Sequence, residues 1–171
     1  QVRIRSVRGD LVVSNQYEDV RVQDVEGTVQ IENRRGAVFA EDIRGELRIE
    51  TNYDRVAVDR VEGRLWLKNH FGTVRLAHVE GSAEIDAAGS AVTLLDVSRD
   101  VQVRSSHKDL TARNVQGQLA VETSYNKVRL EDIGGNVRLQ TAHSEVVAKR
   151  LRAGISAQGR GSQMLLNGIE G

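Results

Sequence analysis

The chain has 171 residues, of which 39% are hydrophobic, enough for one domain with a substantial core. Its 24 basic and 24 acidic residues cancel, so no global field draws it to nucleic acid or to an anionic membrane, and a nucleic-acid partner is set aside. It contains no cysteine, which excludes disulfides, thiolate metal sites and thiol catalysis, and no apolar run long enough for a membrane span, which sets aside direct insertion by this segment.

The first eight residues, QVRIRSVR, place Val2, Ile4 and Val7 as the tail of a further repeat. With no initiator methionine either, the segment is expected to be a piece of a longer chain, with any targeting signal upstream. From Gly9 onward glycine recurs at 27, 45, 63, 81, 117 and 135, a spacing of eighteen, with Arg99 and Ala153 in the remaining slots. Numbering each unit from this slot as position 0, positions 2, 4, 11, 13 and 16 are apolar in all nine units. They run from Leu11, Val13, Val20, Val22 and Val25 to Ile155, Ala157, Met164, Leu166 and Ile169.

Alternation at 2 and 4, and again at 11 and 13, is the period of a strand with one buried face; no helical spacing fits. Positions 8 to 10, as in Tyr53-Asp54-Arg55, read as a turn with its central residue at positive φ, and the glycine at position 0 as a second corner. Each unit is therefore predicted to hold two short strands and a third short apolar step around position 16, separated by turns. Position 6, with Asn15, Asn33, Thr51, Asn69, Ser105, Thr123 and Thr141, forms an inward polar column. Position 8, with Tyr17, Tyr53, Phe71, His107, Tyr125 and His143, is expected to cover the edge of the core at the turn.

Such a unit suits either an antiparallel meander or a parallel solenoid, and charge distinguishes them. In a solenoid equal positions of successive coils are neighbours, so opposite charges are expected to follow one another. Position 5 reads Glu32, Glu50, Lys68, Asp86, Arg104, Glu122, and position 17 reads Arg8, Glu26, Arg44, Glu62, Glu80; opposite neighbours outnumber like ones in both. The prediction is one all-β domain over 1–171: a parallel β-solenoid of nine eighteen-residue coils across 9–170, preceded by the partial coil 1–8, making a rod about 43 Å long.

The segment GELRIETNYDRVAVDRVEG at 45–63, its near copy GQLAVETSYNKVRLEDIGG at 117–135 and the degenerate last unit ISAQGRGSQMLLNGIEG give a consensus G-x-L-x-V-x-T-x-Y-x-x-V-x-V-x-D-V-x-G. This resembles the bacterial β-strand-repeat, adhesin-like domains of the DUF4097 family, and the resemblance covers essentially the whole chain. It implies a repetitive β-solenoid in the bacterial cell envelope, periplasmic or extracellular, and no established catalytic residues or cofactor.

Individual candidates follow from the register. Trp66, at outward position 3, lies between Arg48 and Glu84 in its column and beside Lys68 and His70 along its strand. An exposed indole among charges stacks on a sugar or anchors a protein, and its plainer role is to cover its neighbours' stems. Asp24 and Asp42, with Glu41 and Asp59 beside them, are oxygen ligands of the type calcium uses, but Arg60 follows Asp42 in the column and no calcium-loop motif is present, so no metal is assigned. His107 and His143 stand two coils apart and are read as turn cover. Leu165, above Val147 at position 12 of the last coil, marks the end where further chain or a second molecule is expected to continue the sheet. The functional expectation is a non-enzymatic scaffold or adhesin-like domain with a cell-envelope glycan or protein as partner. Its rivals are a polysaccharide-active β-helix enzyme and a filament subunit of the bactofilin kind; constant eighteen-residue units leave no long insertion to wall the cleft that an enzyme needs.

Overall fold

In a computed structural model the chain, described over residues 1–170, winds into a parallel β-solenoid of about nine turns, with no helix among the described residues. Odd and even strands separate into two sheets, one of ten strands and one of nine. Every coil contributes one strand to each, and the register between neighbours is eighteen residues throughout: Leu47 pairs with Leu65, Ile49 with Leu67, Val56 with Val74. Positions 2 and 4 point inward from the nine-stranded sheet and 11, 13 and 16 from the other. Between them lies a single core in which Ile31, Ile49, Leu65, Leu76, Leu94 and Leu119 are among the fully buried side chains. Parallel strands need both inner faces apolar, and a core one side chain deep from each sheet supplies that.

The expected third step at position 16 is not a separate element. It belongs to the second strand of the coil, as in the continuous strands Val20–Glu26 and Asp54–Val61. What joins it is a bulge: position 15 has φ between 52° and 56° in Ser6, Asp24, Asp42, Arg60, His78, Asp96, Asn114, Asp132 and Arg150, and 66° in Gly168. The ladder skips this residue, pairing Gln23 with Glu41 and Val25 with Ile43 but not Asp24 with Asp42. The extra left-handed residue breaks the alternation, so positions 14 and 15 both face outward and position 16 returns to the core. Left-handed backbone is costly for most L-residues but least so for Asp, Asn and His, which fill six of the nine non-glycine places.

The glycine at position 0 is required for a different reason than a corner's positive φ. Of this column only Gly9 has a positive φ. A Cβ on Gly45 would meet the Gly27 carbonyl oxygen at 2.2 Å, and one on Gly81 would meet that of Gly63 at 2.0 Å. The column is glycine because successive coils run backbone against backbone there.

The turn after the first strand also differs from expectation. Its central residue is left-handed at Gly36 and Asp54, but from Phe71 onward the left-handed residue is position 8, including His107, Tyr125 and His143. With that shift Ser90, Asn126 and Ser144 of position 9 are buried beside the polar column at position 6, while Lys108 stays exposed. Asn69 Nδ2 donates to Ser90 Oγ at 3.2 Å, Thr141 Oγ1 to Ser162 Oγ at 3.1 Å, and Asn33 Nδ2 to the Gly36 carbonyl at 2.9 Å. These groups, not the aromatic rings, close the core at the turn. The rings are exposed and stack on one another: Tyr53 on Phe71 at 6.0 Å, and Tyr125 between His107 at 5.5 Å and His143 at 5.1 Å.

Candidate functional site

On the outer face of the nine-stranded sheet, Arg48, Trp66 and Glu84 are consecutive register partners. Trp66 is half-buried, and the Arg48 guanidinium carbon lies 3.8 Å from the centre of its ring, close enough for cation–π attraction. A sugar ring therefore has only the opposite indole face to stack on. Glu84 draws Arg64 to 3.3 Å and Arg104 to 3.8 Å, while Lys68, two residues along from Trp66, reaches Glu50 at 3.4 Å. His70 sits at the strand's end, half-buried, its backbone N–H donating to Thr51. The structure thus brings Trp66, Arg48, Glu84 and Lys68 onto one flat face. Val147 and Leu165 are also register partners, on the outer face of the other sheet, with Leu165 55% exposed.

The feature that the strand pattern did not reveal is the corner built by position 15. There the outward residues of positions 14 to 17 border an open groove of about 690 Å³, lined by Asp42, Arg44, Arg60, Glu62, His78 and Asp96 among others. Arg60 binds both oxygens of Asp42 and also reaches Glu41 and Asp59. His78 sits between two acids, with Nδ1 2.7 Å from Asp59 and Nε2 3.6 Å from Asp96. Hydrogen bonding from Arg60, the largest influence, holds the Asp42 carboxyl below its ordinary value, and the same bond raises the guanidinium. Three of the four acids considered for calcium, Glu41, Asp42 and Asp59, thus surround a cation supplied by the chain itself, and the fourth, Asp24, accepts the Ser6 hydroxyl at 3.0 Å. The pairing recurs near the C-terminus, where Arg150 binds Asp132 and Glu131. The signal that would have revealed this corner is arithmetical: two positions, not one, separate the apolar positions 13 and 16.

Compared with protein-family models, with curated proteins and with solved structures, the chain matches none.

Proposed function

We propose that this chain is a non-enzymatic scaffold or adhesin-like binding domain of the bacterial cell envelope, working through the flat outer faces of a rigid rod. The observation that carries the reading is the constancy of the coil. Every register pair is eighteen residues apart, so the surface is built of side-chain ladders and shallow grooves and not of loops enclosing a pocket. Flat ladders favour contact with an extended partner, a glycan chain or a protein surface. The placement in the envelope rests on the family resemblance of the repeat.

Two measurements test the proposal. On a panel of envelope polysaccharides the chain is expected to bind without releasing reducing ends; turnover would give the reading to the β-helix enzyme. At the Trp66 face, Trp66→Ala is expected to remove retention on a glycan or cell-wall array while leaving the melting temperature within a few degrees. Lost stability with unchanged retention would make Trp66 a packing residue only.

A further inference from the structure

The outer face of the ten-stranded sheet presents positions 10, 12 and 14 of every coil. In the partial coil and the first four full coils it carries Arg3, Arg5, Arg21, Arg55 and Arg75, all exposed. No ion pair within 4 Å engages any of the five among the described residues. The three acids of the same patch are already committed. Glu41 and Asp59 bind Arg60 around the corner, and the Asp19 carboxylate accepts the backbone N–H of Ala37 at 3.0 Å. Arg3 and Arg21 are direct register partners, a like-charge stack in a fold whose columns otherwise favour opposite neighbours. Arg21 and Arg55 approach the Phe39 ring from the coils on either side, at 4.7 Å and 6.0 Å from its centre. Phe39 thereby fixes two guanidinium groups in place with their charge unspent.

We propose that this arginine face binds a linear anionic polysaccharide, one bearing carboxylates or sulfates along its length, running parallel to the rod axis. The inference rests on the reading of the chain as a binding domain and names its partner. Arg3 to Arg75 spans four coil steps, about 19 Å, so one extended polymer passes successive guanidinium groups that pair with carboxylate or sulfate through two parallel N–H donors. Single-stranded nucleic acid is disfavoured because both sides of Phe39 are occupied by arginine, leaving no open ring for a base, and because the chain has no net charge to gather phosphates from a distance. A membrane surface is disfavoured because the apolar groups beside Phe39 in the middle of the patch are only the alanines Ala37, Ala57 and Ala77.

Affinity electrophoresis tests this with three gels, containing polygalacturonate, dextran sulfate or single-stranded DNA. At low salt the chain is expected to be retarded by polygalacturonate, dextran sulfate or both, and the first two gels tell carboxylate from sulfate. The double variant Arg21→Glu/Arg75→Glu is expected to lose at least tenfold in apparent affinity. The variant Arg138→Glu/Arg152→Glu, equal in charge but lying off this face, is expected to lose less than threefold. Circular dichroism melts of both variants confirm that each is folded. Absence of retardation in both polysaccharide gels, equal losses in the two variants, or retardation by DNA alone would each overturn the proposal. None of these outcomes touches the non-enzymatic reading, which fails only on glycan turnover.

Discussion

The ten-stranded sheet offers two versions of one surface. In its C-terminal coils the cations of positions 10, 12 and 14 are mostly spent within the fold: Arg113 meets Glu131 at 3.0 Å, Lys127 meets Glu145 at 3.1 Å, and Arg129 meets Asp109 at 3.5 Å, leaving Lys149 as the exception. In its N-terminal coils the same positions hold five arginines and none is spent. The strands of this sheet share their register and their buried inner face in both regions, so the difference on the outer face is one of side-chain choice. A column of alternating charges serves the stacking of the coils; a column of like charges works against it and points to something outside the chain.

Where the two regions are alike, the largest effects should be alike. Val56 and Val128 occupy position 11 in the two halves and are both fully buried. Val56→Asp and Val128→Asp each put an unpaired carboxylate between the sheets, and each is expected to cost about 4 kcal/mol or more. Arg55→Asp, one residue earlier and exposed, is expected to change stability by less than about 0.5 kcal/mol. Urea midpoints measure all three; an Arg55→Asp loss as large as that of Val56→Asp would overturn the assignment of inner and outer faces.

The glycine column comes next in size. Gly45→Ala brings a methyl to 2.2 Å from a carbonyl oxygen and Gly135→Ala to 2.5 Å, where backbone and not a yielding side chain is the obstacle. Coils must separate locally, at an expected cost of about 2 kcal/mol in either half. Thermal melts that leave either variant at the parent's midpoint would show that the coils have slack at this corner.

These two sets of substitutions also separate what the sequence makes legible from what it does not. The inward places of Val56, Leu47 and Ile49 follow from alternation, and the register follows from charge order at positions 5 and 17, because both depend on nearest neighbours in a repeat without insertions. The inward polar column from Asn15 to Thr141 is legible for the same reason. The bulge is not, because its left-handed residue is Asp, Asn, Arg, His or Ser in every coil but the last, whereas glycine is the usual marker, and the strand continues past it. Nor is the fate of individual charges. Arg60 reaches diagonally to Glu41 as well as along its column to Asp42, and only three-dimensional geometry shows that this leaves the arginines of the adjoining face unpaired. The aromatic residues at position 8 read from the sequence as cover for the core; their rings instead lie outside it, Tyr53 on Phe71 and Tyr125 between His107 and His143, whether the backbone is left-handed, as at Phe71, or not, as at Tyr53.

The corner sets a pH dependence common to both halves, carried by Arg60 with Asp42 and by Arg150 with Asp132. Both carboxyls lie below their ordinary value because an arginine hydrogen bond favours the ionised form. The folded state therefore binds protons less readily than the unfolded chain. This contribution is fully present above about pH 4, the unfolded carboxylate range, and is lost as pH falls through the lower folded value. Exposure and salt screening keep it small. Arg60→Leu is expected to lower the urea midpoint modestly at pH 7 and to narrow its difference from the parent at pH 3. A difference independent of pH would show that Arg60 acts through packing and not through charge.

The smallest effect separates the halves most cleanly. Arg3→Glu replaces a like-charge stack on Arg21 by an opposite pair, and is expected to raise stability by about 0.5 kcal/mol. Lys127→Glu does the reverse: it removes the pairing with Glu145 and leaves an unbroken acidic column from Asp109 to Glu145, at an expected cost of about 1 kcal/mol. Both substitutions replace a cation by an anion at an outward position of one sheet, so the change in net charge is the same and only the neighbours differ. Opposite signs in urea titrations at low salt, converging as salt is raised, would establish that the N-terminal face carries a stability cost that the C-terminal face does not. Polyanion retention read on the same Arg3→Glu protein completes the comparison. A variant that is more stable and binds less well means that the arginines are there for a partner, whereas one that is more stable and binds equally well removes Arg3 from the proposed site.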